Sequence, residues 1–202
     1  MKLYYSAGAC SLSPHIVLHE SGLAFEAISA PTKTHKLADG TDYYTINPLG
    51  YVPLLELDDG RRLHEGPAIV QYIADQVPDK QLAPANGSYE RYKLQEWLTF
   101  IGTELHKGFS PLFNPNTPAD YKPSCLQRLN DRLKWVDSEL AGKDYLMGSQ
   151  FSVADAYLFT VTNWAPYVGL DLSPYSQLLA YRSRVGARPA VIAAMQAEGL
   201  IK

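Results

Sequence analysis

The sequence predicts two folded halves of different class: an α/β half over residues 1–80 and an all-α half over residues 89–202, joined by a linker at 81–88. Three observations predict this. Up to Lys80 the chain changes character every few positions, as short strands and helices do. From Pro78 to Ser88 it holds Pro78, Pro84 and Gly87 and little apolar content, the composition of a connection. Beyond that, every convincing segment repeats apolar residues at three- and four-residue steps, the mark of helices with one buried face.

Taken in order, Lys2 to Tyr5 is a short aromatic strand. Ser13 followed by Pro14 reads as a helix cap with proline at the first helical position, and Gly22 ends that helix after Ile16, Val17 and Leu18. Phe25 to Ala30 alternates and suits a second strand, followed by a charged stretch, Thr32 to Asp42, broken at Gly40. Pro53 to Leu57 is a third strand, and Asp59-Gly60 signals a hairpin into Arg61–His64. Gly66 to Gln76 then carries Ile69, Val70, Tyr72 and Ile73 at helical spacing. The order β-α-β, then β-β-α, is that of a small open sheet. In the second half, Tyr89 to Phe109 and Leu126 to Leu140 read as helices, Ser152-Val-Ala-Asp155 as a helix start with a reciprocal cap, and Pro189 as the start of the last helix.

A hydrophobic fraction of 46% with 19% charged residues suits a globular chain with a real core. The net charge of −3, without a basic stripe, speaks against nucleic acid as a partner. No apolar run approaches the roughly 18 residues of a membrane span, and Met1 to Tyr5 meets polar Ser6 without a signal-peptide core. With only Cys10 and Cys125 there is no disulfide framework, which implies a reducing, cytoplasmic setting.

Cys10 is the first candidate for chemistry. It lies between a strand and a helix start, where backbone amides and the helix dipole favour a thiolate. The motif is Cys-x-x-Ser, so a disulfide formed at Cys10 needs an outside thiol; the alternative is an inert cysteine at a strand end. Val52-Pro53 opens a strand, a place where a cis bond is rare without a reason. Glu65-Gly66 sits at a helix start, whose amides suit a carboxylate while the glutamate suits an ammonium group. His15, His19 and Glu20 resemble half a zinc motif but lack its spacing and a third ligand, so no metal is expected. Thr103 to Lys107 closes a long aromatic helix and gathers a titratable, cationic cluster around His106.

Together these residues resemble a family. Gly8-Ala9-Cys10-Ser11-Leu12-Ser13-Pro14-His15, Asn47-Pro48 to Val52-Pro53, Glu65-Gly66-Pro67-Ala68-Ile69, Glu104-Leu105-His106-Lys107 and Ala154-Asp155-Ala156-Tyr157-Leu158 look like the glutathione S-transferases of the bacterial beta class, along the whole chain. The resemblance implies a thioredoxin-like domain followed by a helical bundle, a homodimer, and glutathione as co-substrate. It gives Cys10 the contact with the glutathione sulfur, and the ability to form a mixed disulfide with it. Val52, beside cis Pro53, would pair its backbone with the cysteinyl part, and Glu65 and Gly66 would hold the γ-glutamyl head. His106 would lie near the sulfur as a second catalytic group, with Thr103, Glu104, Leu105 and Lys107 completing that helix's share. Tyr5 takes the place of the catalytic tyrosine of other classes and is dispensable in this one. His35, between Lys33 and Lys36, stands where the family offers a lysine to the glycine carboxylate, and Thr99 where the dimer partner contributes an asparagine. Phe109, Tyr157 and Trp164 would line the electrophile site.

The expected activity is conjugation of glutathione to small apolar electrophiles, with thiol–disulfide exchange or peroxide reduction through Cys10 as a side reaction. The competing expectation is a non-catalytic binder of apolar ligands on the same fold, for which Trp97 and Phe113 join the aromatic surface.

Overall fold

The computed structural model describes residues 1–202. The chain divides into two compact units, Met1–Ala83 together with Ala187–Lys202, and Pro84–Gly186.

The first unit is built on strands β1 (Lys2–Tyr5), β2 (Glu26–Ser29), β3 (Leu54–Glu56) and β4 (Arg62–His64), in the spatial order β2-β1-β3-β4. β1 runs parallel to β2 and antiparallel to β3, and β3 runs antiparallel to β4. The parallel pair needs a crossover, supplied by α1 (Leu12–Ser21). The β3–β4 pair closes in a hairpin where Gly60 takes a left-handed φ of 83°. α2 (Gly66–Asp75) packs on α1, and Leu3, Leu12, Ile16, Leu54, Leu55, Ile69 and Ile73 are sealed from solvent between sheet and helices.

The expected cap of α1 at Ser13 is displaced. The chain turns earlier: the Ala9 N–H donates to the Ser6 carbonyl at 3.0 Å and the Leu12 N–H to the Ala9 carbonyl at 3.0 Å, so the helix begins at Leu12. Ser11 is the flanking residue, and its side chain bonds back to the backbone of Ser6 rather than capping the helix. Ser13 Oγ is buried with no hydrogen-bond partner. At the other end Gly22, with φ 73°, closes α1 as expected, its N–H donating to the Leu18 carbonyl.

A second departure concerns the last helix, α8 (Pro189–Ala197), which the sequence grouped with the helical half. It packs on α1 and belongs to the first unit. Arg188 makes a forked pair with Glu20, Nε to Oε1 at 2.6 Å and a terminal nitrogen to Oε2 at 2.9 Å. Just past the helix, Glu198 Oε1 meets His15 Nδ1 at 2.9 Å and Oε2 accepts the Gly8 N–H at 2.9 Å, with both side chains of the His15–Glu198 pair almost wholly buried.

The second unit is helical: α3 (Tyr89–Phe100), α4 (Lys107–Phe113), α5 (Lys122–Glu139), α6 (Val153–Thr162) and α7 (Ser176–Gly186). The single helix expected over Tyr89–Phe109 is interrupted by a π-helical segment, Ile101–His106, between α3 and α4. Every residue of α6 is buried. Its entry is fixed by Asp155, whose Oδ2 accepts from the Ser152 N–H (2.8 Å) and hydroxyl (2.9 Å) and whose Oδ1 accepts from the Leu146 N–H (2.9 Å) and the Tyr181 hydroxyl (3.1 Å). Burial outweighs these donors and raises the Asp155 carboxyl to about 6. No helix of the chain is long and apolar enough to cross a membrane.

Glu198→Ala removes the carboxylate that accepts from the Gly8 N–H and pairs with the buried His15 ring. Urea denaturation is expected to show a loss of about 3 kcal/mol, with Glu198→Gln recovering part of it.

Candidate functional site

Cys10 sits in the turn that feeds α1, two residues after Gly8, which takes a φ of 70° that a side chain rarely adopts. Its thiol is partly exposed and donates to the Val52 carbonyl oxygen at 3.2 Å. The Val52–Pro53 peptide bond is cis. The segment leading into it is pinned from behind, because both Tyr43 Oη (2.9 Å) and Asn47 Nδ2 (2.7 Å) donate to the Tyr51 carbonyl. Burial pushes the Tyr43 phenol up to about 12, so it remains a donor.

On the far side of Pro53 stands the start of α2. A Cβ on Gly66 would lie 3.8 Å from Pro53 Cγ, so Cys10, Val52, Pro53 and Gly66 are contiguous within the first unit, the middle two buried. Glu65 precedes the helix with φ 67° and ψ 114°, a strained backbone for a residue with a side chain. Such strain persists only where surrounding structure imposes it and collects at binding sites. The Glu65 side chain is exposed, and the Glu65 carbonyl accepts the Ala68 and Ile69 N–H groups at 3.0 Å, while Pro67 has no N–H to offer.

Tyr5 ends β1 with its ring 5.3 Å from that of His15. Burial first, and then the Glu198 carboxylate, raise its phenol, so it does not ionise readily. His35 is held at φ 52° and stacks on Tyr44 at 4.5 Å between ring centroids. The stack depends on Gly50, where a Cβ would come within 2.6 Å of the Tyr44 ring.

In the second unit, the π-helical turn and α4 carry Thr103 to Lys107. Thr103 and Lys107 are exposed, Leu105 is core, and Glu104 is engaged by Arg132 Nε at 2.7 Å. Thr99 is exposed on α3, and its carbonyl accepts the Thr103 hydroxyl at 3.0 Å. His106 departs from the cationic cluster expected there. Desolvation, and then the neighbouring Lys107 charge, lower it to about 4, so the ring is neutral at physiological pH. Its Nδ1 lies 2.7 Å from the Tyr157 hydroxyl, and its ring meets Trp164 edge-on at 4.9 Å. Phe109 is completely buried against Trp164 and presents no face, whereas Phe113, half exposed, touches the same indole at 6.0 Å between centroids.

The sequence reading missed Glu198, Tyr43 and the pairing of His106 with Tyr157. No local motif marks Glu198; only its partners, 183 and 190 residues away, do. No group of three or more His, Cys, Asp or Glu side chains is disposed to hold a metal.

Residues 7–76 match the family model described as the glutathione S-transferase N-terminal domain, and residues 100–189 the model for its C-terminal domain. The chain is 49% identical to glutathione S-transferase GstA of Escherichia coli O157:H7, over 99% of this chain and 100% of that one. Two solved structures superpose with a TM-score of 0.95 at 49% identity and full coverage of both chains: a Sphingomonad glutathione S-transferase complexed with glutathione, and a bacterial beta-class enzyme from Sphingomonas chungbukensis.

His106 disfavours the proton when folded, so its contribution to stability is complete above its unfolded value of 6.5 and is lost as pH falls toward about 4. Across that window the stability advantage of wild type over His106→Phe is expected to shrink by about 1.4 kcal/mol per pH unit. Denaturant titrations at pH 7, 6 and 5 measure it.

Proposed function

Since this chain belongs to the glutathione S-transferase family, within its bacterial beta class, we propose that it conjugates glutathione, through its sulfur, to small apolar electrophiles. The glutathione thiolate forms the new carbon–sulfur bond, the leaving group departs with its electron pair, and the thiol proton passes to solvent. The observation that carries this reading is the Cys10 thiol bonded at 3.2 Å to the Val52 carbonyl, beside cis Pro53 and the start of α2. This surface suits an extended tripeptide with a sulfur at its centre.

Within that reading Val52 pairs with the cysteinyl part of glutathione, and Glu65 and Gly66 take its γ-glutamyl ammonium and carboxylate. His35 serves the glycine end. Cys10 contacts the sulfur and can exchange with a disulfide of glutathione, forming a Cys10–glutathione bond that a second glutathione thiolate breaks. Thr103, Glu104, His106 and Lys107 are the candidates that the second unit carries, His106 for the sulfur, and there Trp164, itself buried, backs half-exposed Phe113, which offers an aromatic face to an apolar electrophile.

The enzyme works as a homodimer, with Thr99 of one copy directed to the glutathione of the other. Tyr44, Leu49 and Tyr51, which are 47%, 62% and 69% exposed, form an apolar surface that a second copy would cover. Its setting is the cytoplasm and its role is detoxification.

Intact mass of the purified protein after incubation with oxidised glutathione should show one reducible glutathione-sized adduct per chain. Cys10→Ala should lack the adduct and reduction of hydroxyethyl disulfide, yet keep part of the conjugation of an aryl halide. Exchange that survives in Cys10→Ala removes Cys10 from the centre of the reaction. Dye binding without turnover of any electrophile favours the non-catalytic binder.

A further inference from the structure

We propose that Tyr157 is a positioning residue that locks His106 in the tautomer bearing its proton on Nε2, making the imidazole a standing hydrogen-bond donor rather than a base or a cation. The inference rests on the transferase reading above, in which His106 serves the reacting sulfur, and gives both residues a more definite role within it.

Tyr157 Oη and His106 Nδ1 lie 2.7 Å apart. Two arrangements of hydrogen are open to such a pair. A phenol O–H is far more acidic than the N–H of a neutral imidazole, and an imidazole nitrogen is a far better acceptor than a phenol oxygen. The hydroxyl therefore donates and Nδ1 accepts. An accepting Nδ1 in a neutral ring leaves the proton on Nε2, at the opposite edge.

This pairing needs a neutral ring, and the surroundings provide one. Burial is the first cause that lowers His106 to about 4, and no carboxylate contributes to its shift; the charge that does is that of Lys107. A cationic His106 would have no lone pair on Nδ1 to offer, and so close a contact would then require the phenol oxygen to accept. Neutral His106 and donating Tyr157 are mutually consistent.

The backbone on both sides fixes the pair. Tyr157 lies on α6, two residues after Asp155, whose four hydrogen bonds hold the entry of that wholly buried helix. His106 ends the π-helical segment, a rare geometry that accumulates at functional sites. Gly102, within the same segment, faces the pair closely: a Cβ there would lie 3.6 Å from Tyr157 Oη. The Trp164 ring, edge-on at 4.9 Å, supports the imidazole from another side. With Nδ1 committed to Tyr157, only Nε2–H remains to serve a substrate. Its match is negative charge: the thiolate of glutathione, or the charge that builds on the electrophile.

Side-chain nitrogen NMR of 15N-labelled protein at neutral pH reads the tautomer directly, without substrate. Wild-type His106 is expected to carry its proton on Nε2 alone, and Tyr157→Phe, which keeps the ring and its packing, to show both tautomers. In steady-state conjugation, Tyr157→Phe should lower kcat by roughly tenfold, the size of one hydrogen bond, with KM for glutathione changed less. A proton on Nδ1 in wild type overturns the lock. So does a Tyr157→Phe variant whose tautomer and kcat match wild type. A wild-type chain without any glutathione turnover overturns the transferase reading and the donor role with it, while the NMR signal still decides the lock on its own.

Discussion

The carboxylate of Glu198 closes the first unit. The Cys10 thiol at the entry to α1 follows a tight turn that passes through Gly8 in a left-handed conformation. The Gly8 N–H in this turn is partly buried, and a donor shut off from water without an acceptor costs about 1–3 kcal/mol. Glu198 accepts it at 2.9 Å and uses its other oxygen for His15 at 2.9 Å, one turn into the helix that the turn feeds. A buried carboxylate is tolerated only with such charge-assisted partners. The turn before Cys10 and the helix after it are thus held from one point. The forked Arg188–Glu20 pair secures the other end of α8 on α1, so this helix completes the unit that begins with β1.

The second unit solves a similar problem with a different buried carboxylate. Asp155 gathers backbone and hydroxyl donors at the entry of α6, and the fixed helix presents Tyr157 to His106. The two histidines that matter are held in opposite ways. His15 has a carboxylate on one ring nitrogen, whereas His106 has a phenol and no carboxylate. Residue type alone does not set what an imidazole does. Its partner does.

The readable parts of the sequence were those governed by neighbours in the chain. Asp59-Gly60 announces a hairpin, Gly22 a helix end, and Ser152 with Asp155 a helix start, because each acts over a few neighbouring positions. Cys10, Val52-Pro53 and Glu65-Gly66 were legible for the same reason, each lying at a junction of elements. Ser13 misled because a serine before a proline signals a cap wherever it occurs, and only the earlier hydrogen bonds of Ala9 and Leu12 show that the helix has already begun. The π-helical turn, the neutrality of His106 and the place of α8 depend on burial and on partners far along the chain. Amphipathic spacing says that a helix buries a face, and is silent on the face it meets.

Glu198 also bears on which group in the first unit can carry negative charge. Tyr5 ends β1 beside His15, and a tyrosine that shares or yields its proton easily could compete for that task. Here burial raises its phenol, and the nearby Glu198 carboxylate raises it further, since a second negative charge beside the first is disfavoured. The same carboxylate that accepts the Gly8 N–H therefore adds to burial, the larger cause, in holding the proton on Tyr5. The start of α1, at the positive end of the helix dipole, is left as the place in this unit best suited to a thiolate. Cys10 follows a turn that a residue near the far end of the chain holds, and Tyr5 is quiet first because it is buried and then because of that residue's charge.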